Sequence, residues 1–370
     1  MSLFKSFVKK VFFLFNTLYF KIGKFNSLYN IRDEISLELI TNKYQNNYRN
    51  IRVPFKKALP LKKFKYNPIL REGDPGEWDE LGIREPYLFY DGEQYYIYYE
   101  SFTRSNNIDW QIGVATAPEI TGPWKKYEKN PILKYTLQNG DFDKQCIADP
   151  CVLLKDGLYH MWFDMYDGNF WRIGKAYSHN GLDWEKVKNK KGKTKIILDL
   201  GEKATIDFNN VHCPEVYLWN NKFHILYGCK GVGHIGYDTG LAIQIDKKGE
   251  NFKKWGLVTT DGMLKNTFIS SRLQAGILLN GIIISGIRVQ KENNFETTYM
   301  LFSDDGGKSW NKLSDPIINR GKNDSWDKVL YYGPNTWIIN KNKLWTAYLG
   351  GQGGHIRRLG LAHMEIPDII

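Results

Sequence analysis

Acid–base chemistry needs a proton donor and a carboxylate within reach of one reacting centre. This chain of 370 residues places such groups beside prolines. Glu85 precedes Pro86, Asp149 precedes Pro150, and His212 stands two residues before Pro214, with Glu215 directly after it. The prolines are 64 residues apart, so these side chains act together only if the fold gathers the three segments at one point. One proton donor and one carboxylate can protonate a leaving oxygen and activate water or attack carbon, and a second carboxylate beside them sets their proton affinities.

The elements that must position them announce themselves as a repeat. Trp78-Asp79, Phe142-Asp143, Ile206-Asp207 and Trp326-Asp327 each lead, seven residues after the aspartate, to Pro86, Pro150, Pro214 and Pro334. The last interval is 120 residues, which leaves room for one degenerate copy near Arg272 to Gly281. After each proline a β-branched and aromatic run, a turn such as Asp-Gly or Asn-Asn, and a second run read as a hairpin. Third strands follow, as in IGVATAP and IGKAYSHNG, and Asn67-Pro-Ile-Leu recurs at Asn130-Pro-Ile-Leu. Five units of about 60 residues with this content predict an all-β chain, a five-bladed β-propeller occupying residues 67–370. Aromatic residues make up 15% of the chain, which favours strands and, where rings are exposed, contact with sugar-like ligands.

The formal charge is +11, yet fourteen Lys and Arg against three acidic residues fall within the first 65 positions, so the remainder carries no net charge. A nucleic-acid groove in the body is therefore not expected. Residues 1–66 read as a basic N-terminal extension, an amphipathic helix followed by a connector. The longest uncharged stretch, Val11 to Phe20, is too short to span a bilayer, and no small-x-small cleavage site follows. The expectation is a cytoplasmic protein whose residues 1–28 lie peripherally on an anionic membrane surface at the inner face. The four cysteines show no zinc-type spacing and are expected as free thiols.

The segments Arg84-Glu85-Pro86-Tyr87-Leu88-Phe89-Tyr90-Asp91-Gly92, Ala148-Asp149-Pro150 and His212-Cys213-Pro214-Glu215 resemble the five-bladed propeller glycoside hydrolases. That group comprises the family 43 arabinanases and β-xylosidases, the invertases and levansucrases, and the neoagarobiose hydrolases. The resemblance covers roughly Asn67 to Glu365 and implies that the residues before each proline face one axial funnel. It implies cleavage of a glycosidic bond of an oligosaccharide or glycoconjugate, with a carbohydrate as partner. The sequence departs from the pattern where Glu85 replaces the first aspartate and His212 the third-blade glutamate, and Ala148 stands in place of the invertase arginine. Two alternatives remain open: a membrane-surface glycosyltransferase for surface polysaccharide, and a sugar-binding propeller without catalysis.

The expected roles are Glu85 as base or carboxylate partner, Asp149 as the group that orients sugar and sets proton affinities, and His212 as acid with Glu215 in support. No structural repeat demands an acid before the proline, since the third and fifth copies carry Cys213 and Gly333 there. Asp79 recurs in every recognisable copy and reads as a turn or cap, although Trp78 and Asp79 are also candidates for sugar contact. Arg84, Arg272, Tyr332 and His355 complete the substrate-binding candidates. His160, His224 and His363 fall within strand patterns and read as packing. Gly350 to Gly354 has neither the pattern nor the following helix of a phosphate loop. No cofactor or metal is expected; the channel calcium of some relatives has no recognisable oxygen ligand set here.

Overall fold

The computed structural model describes residues 60–366, apart from 103–108, 139, 204, 231–237, 260–267, 274–276, 280, 292–295, 334–335 and 355. The expected N-terminal helix and its membrane contact through residues 1–28 lie outside the described residues. Within them the chain is all-β and contains no helix, so none is long and apolar enough to cross a membrane.

The strands fall into successive antiparallel units. After β1 (Lys62–Lys63), the first unit comprises β2 (Arg84–Tyr90), β3 (Tyr95–Ser101), β4 (Gln111–Ala117) and β5 (Lys125–Lys126). The second comprises β6 (Cys146–Lys155), β7 (Leu158–Tyr166), β8 (Trp171–Ser178) and β9 (Glu185–Lys186). The third comprises β10 (Asn210–Trp219), β11 (Lys222–Lys230), β12 (Asp238–Gln244) and β13 (Phe252–Thr259), joined to the second by one parallel pairing of Asn210 with Trp171. In the next, β14 (Phe268–Leu273) and β15 (Ile277–Leu279) both pair with β16 (Ile282–Lys291), followed by β17 (Glu296–Ser303) and β18 (Asn311–Ile318). This is the degenerate copy. In the last, β19 (Val329–Tyr332) and β20 (Trp337–Asn340) pair with β21 (Lys343–Gly351), then β22 (Arg358–Glu365), whose free edge is taken by β1. The sheet thus recruits Lys62–Lys63, which the sequence alone assigns to the connector.

Turn chemistry explains the hairpins. Asp156-Gly157 and Asn220-Asn221 each place both residues at positive φ, the conformation whose twist matches two antiparallel strands. Asp91-Gly92 behaves differently: the loop is longer, and the Asp91 carboxylate accepts the backbone N–H groups of Glu93 and Gln94, an Asx turn.

Apolar layers lie between units. One joins Tyr217, Leu226 and Leu241 of the third to Ile283 and Leu301 of the next. Another joins Ile284, Met300 and Phe302 to Trp337, Leu344 and Met364. A third joins Leu88, Tyr95 and Ile97 of the first unit to Trp345, Leu349 and Leu361 of the last. The chain therefore closes on itself, and the Leu88 N–H donates to Thr336 Oγ1 at 2.9 Å across that junction.

The repeated aspartate is a clasp in four of the units. Asp79 is paired with Lys126 at 2.7 Å, Asp207 with Lys254 at 2.6 Å and Asp327 with Lys63 at 2.6 Å; Asp143 is paired with Lys186. Tyr99, Tyr227 and Tyr348 donate their hydroxyls to Asp79, Asp207 and Asp327 at 3.0, 3.1 and 3.0 Å. The Asn-Pro-Ile-Leu repeat joins the same network, because Asn67 donates to Tyr348 Oη and Asn130 to Tyr99 Oη. These clasps tie the entry loop to the outermost strand, and at Asp79, Asp207 and Asp327 to the second strand as well, and satisfy a buried carboxylate that would otherwise be costly.

Candidate active site

The inner strands β2, β6 and β10 share one irregularity. Proline lacks the N–H that the ladder needs, and the pairing with β3, β7 and β11 slips between Arg84 and Tyr87, between Ala148 and Cys151, and between His212 and Glu215. In all three strands the residue before the proline adopts left-handed backbone geometry: Glu85 at φ 35°, Asp149 at 47° and Cys213 at 54°. Non-glycine residues rarely adopt such φ values, and surroundings must hold them there at roughly 1 to 3 kcal/mol each. A bulge of this kind re-aims side chains that a regular strand would alternate between its faces.

A carboxylate on the preceding unit holds two of these bends. Glu100 Oε2 accepts the Asp149 N–H at 2.8 Å, and Asp164 Oδ1 accepts the Cys213 N–H at 2.7 Å. Both acids are buried, and each follows the proline of its own unit by fourteen residues. At the corresponding place in the third unit stands Gly228, opposite His212 in the ladder; a Cβ there would lie 2.9 Å from His212 Nε2. The missing side chain makes room for the imidazole.

The three bent strands bring Glu85, Asp149 and Glu215 to one cavity, whose walls are completed by Pro86, Tyr87, Pro150 and Pro214. Glu85 and Glu215 are buried and Asp149 is half-buried. Burial, reinforced by the nearby charges of Asp149 and Glu85, drives the Glu100 carboxyl well above the usual carboxylate range. Burial likewise raises the Tyr87 phenol, with Cys151 and Glu215 adding to it; Tyr87 faces the site as a neutral donor or acceptor. Carboxyls this close, one of them with a raised proton affinity, form the kind of arrangement in which acid–base work is divided among carboxyls.

The remaining candidates have other surroundings or only their strand positions described. His212 does not line the cavity. Its Nδ1 is 2.7 Å from Cys213 Sγ and 3.9 Å from Asp164 Oδ2. Trp78 stacks on Tyr99 with ring centroids 5.4 Å apart and packs in the layer between the first and last units. Asp79 is 1% exposed and engaged by Lys126 and Tyr99. Both serve the clasp and the layer beside it. The Arg84 guanidinium lies over the Phe102 and Trp110 rings, at 4.6 and 5.8 Å. Arg272 pairs with Arg288 in the β14–β16 ladder, and Tyr332 closes β19 opposite Leu349. His355 lies outside the described residues. The glycine stretch ends β21 and continues into a turn, with Gly353 and Gly354 at positive φ and the Gly354 carbonyl accepting from Tyr331. His160 stacks on Trp162, His224 on Tyr217, and His363 packs on Trp345.

Sequence reasoning overlooked Glu100, Asp164 and the role of Cys213. A signal existed: a lone acid inside YYIYYES and another inside LYHMWFDMY, at the same offset from the proline.

No protein-family profile matches the chain. Two uncharacterized proteins of Mycobacterium tuberculosis are similar in part. One is 26% identical over 175 residues, covering 45% of this chain and 52% of the relative. The other is 27% identical over 130 residues, covering 32% and 41%. The chain thus spans about half the length, or less, of the curated relatives it matches.

Solved structures share the fold. A family 117 glycoside hydrolase of Zobellia galactanivorans superposes with a TM-score of 0.56 at 16% identity, covering 82% of this chain and 90% of that one. An endo-arabinase of Bacteroides thetaiotaomicron gives 0.55 at 14% identity, covering 85% and 99%. A member of the family 130 mannoside phosphorylases and hydrolases gives 0.59 at 14% identity, covering 85% and 96%. The fold is that of the propeller-type glycoside hydrolases.

Proposed function

We propose that the successive units are the five blades of one propeller and that the chain cleaves a glycosidic bond of an oligosaccharide or glycoconjugate at the mouth of its axial funnel. One observation carries this reading: Glu85, Asp149 and Glu215, from three different units, line a single cavity. The resemblance of the fold to propeller-type glycoside hydrolases supports it.

Breaking the acetal requires protonation of the departing oxygen and a carboxylate that activates water or attacks the anomeric carbon. Glu215 takes the proton-donating role in place of His212, because Glu215 borders the cavity while the His212 ring faces Cys213 and Asp164. Glu85 is the carboxylate that acts on water or sugar. Asp149 lies between them along the ring of strands and orients the sugar, with its backbone fixed by Glu100. The strained bends at Glu85 and Asp149 are the local device that points acids inward from strands whose other residues build the layers.

The test is a panel of aryl glycosides (arabinoside, xyloside, galactoside, fructoside, mannoside) with wild type, Glu85→Gln, Asp149→Asn and Glu215→Gln. Turnover of one substrate by wild type, reduced by roughly 100- to 10,000-fold in the variants without loss of folding, is expected. Turnover that is the same in all four proteins would remove the assignment.

A further inference from the structure

Beside the cavity, on the side where the third bend occurs, Asp164, His212 and Cys213 bring one ligand atom each to within 4.8 Å of one another. We propose that these three residues form a site for a zinc-class divalent transition metal, independent of whether the adjacent carboxylates cleave sugars.

The first argument is convergence. His212 Nδ1 faces Cys213 Sγ at 2.7 Å and Asp164 Oδ2 at 3.9 Å. A nucleophile–base–acid relay would need the sulfur and the carboxylate on opposite ring nitrogens. Here both lie toward the same nitrogen, as they do when donors surround a common centre. A tetrahedral zinc ion, bound at about 2.3 Å to sulfur and about 2.0 to 2.2 Å to nitrogen and oxygen, separates neighbouring donors by roughly 3.3 to 3.6 Å. The two distances bracket that range and the sulfur–carboxylate separation is within 4.8 Å, so a rearrangement of the three donors by up to about an ångström would bring them onto one ion.

The second argument is orientation from behind. Asp164 Oδ1 accepts the Cys213 N–H at 2.7 Å, which fixes the carboxylate with its other oxygen toward the imidazole, as outer hydrogen bonds fix metal-binding carboxylates. Cys213 is held at φ 54°, and this strained backbone directs its side chain toward the cluster. Gly228 supplies the space for the imidazole. Asp164 and Cys213 are 1% and 4% exposed, so the donors sit where water competes poorly.

The donor set selects the ion. One sulfur, one imidazole and one carboxylate suit zinc and its neighbours; calcium and magnesium take six or more oxygens. Three protein donors leave a fourth position, the number found in zinc sites that bind water or substrate.

The experiment uses the full chain, stripped by chelator and titrated with cobalt(II). Wild type should bind one equivalent and develop a thiolate-to-cobalt charge-transfer band that zinc abolishes. Cys213→Ser should lose the band, His212→Ala should weaken binding by roughly 100-fold or more, and Cys229→Ser, whose thiol bonds the Asp238 carbonyl rather than the cluster, should retain the band. Zinc should also raise the melting temperature of wild type and not of Cys213→Ser. Absence of the band in wild type, or its survival in Cys213→Ser, would overturn the proposal. Because the readout is spectroscopic, it is independent of glycoside turnover.

Discussion

Replacing Glu100 by glutamine tests the electrostatics of the site without removing its geometry. Glu100 is 2% exposed, accepts the Asp149 N–H, and its proton affinity is raised by burial and then by the charges of Asp149 and Glu85. In the unfolded chain the same carboxyl titrates at about 4.3. Between that value and the raised folded value the native protein holds one more proton than the unfolded chain. This stabilisation is complete at low pH and lost as pH rises toward the folded value, at about 1.4 kcal/mol per pH unit. Glutamine keeps a carbonyl oxygen for the Asp149 N–H and cannot ionise. Wild type and Glu100→Gln should therefore be similar near pH 4.5, and the variant should gain on wild type as pH rises. At about 2 °C per kcal/mol for a domain of this size, the difference in melting temperature should widen by roughly 3 °C per pH unit. Glu100→Ala is the contrasting case, since it strands the Asp149 N–H and should destabilise by about 1 to 3 kcal/mol at every pH. Thermal melts of the three proteins between pH 4.5 and 8 decide the matter. A constant gap between wild type and Glu100→Gln would show that Glu100 ionises as readily folded as unfolded, and the proton-holding role would be abandoned.

Other outcomes follow from the same contacts. Asp207→Ala removes the acceptor shared by Lys254, Thr205 and Tyr227 and should lower stability by about 3 kcal/mol, read from urea midpoints. Burial pushes the Asp207 and Asp327 carboxyls upward, but Lys254 and Thr205, and Lys63 and Ser325, outweigh it and hold both below the ordinary range. Their stabilisation is present above about pH 4 and lost as pH falls through the lowered values, so acid titration should unfold Asp207→Asn with a shallower dependence than wild type. Lys175, fully buried against Trp162 and Phe223 with its ammonium on the Lys248 and Gly249 carbonyls, is brought down to about 7, chiefly by burial. Wild type should gain stability relative to Lys175→Met as pH rises from about 7 to 10, and a flat difference in denaturant midpoints would contradict this.

The sequence alone determined the all-β character and the repeated hairpins, because a proline and an aspartate repeated at fixed separation, with hairpin residues between strands, leave little choice of period. Hairpins after Pro86, Pro150 and Pro214 and the degenerate copy around Arg272 appear where the repeat places them. The gathering of Glu85 and Asp149 at one cavity was likewise legible, since equivalent positions of equivalent units face the same way. What the one-dimensional pattern could not decide was which side of a bent strand each neighbour of the proline would face. The slip in register moves Glu215 into the cavity and turns His212 and Cys213 toward Asp164. Asp164 lies 48 residues before His212, with no metal-type spacing to betray the association, and only the stacking of one unit on the next makes them neighbours. Asp79 shows the converse: its chemistry suits a sugar, but it is buried and engaged by Lys126 and Tyr99 within the frame, with Trp78 stacked on the same tyrosine. Periodicity sets the path of a backbone, whereas the partner of a side chain is fixed by packing between strands that the sequence keeps far apart.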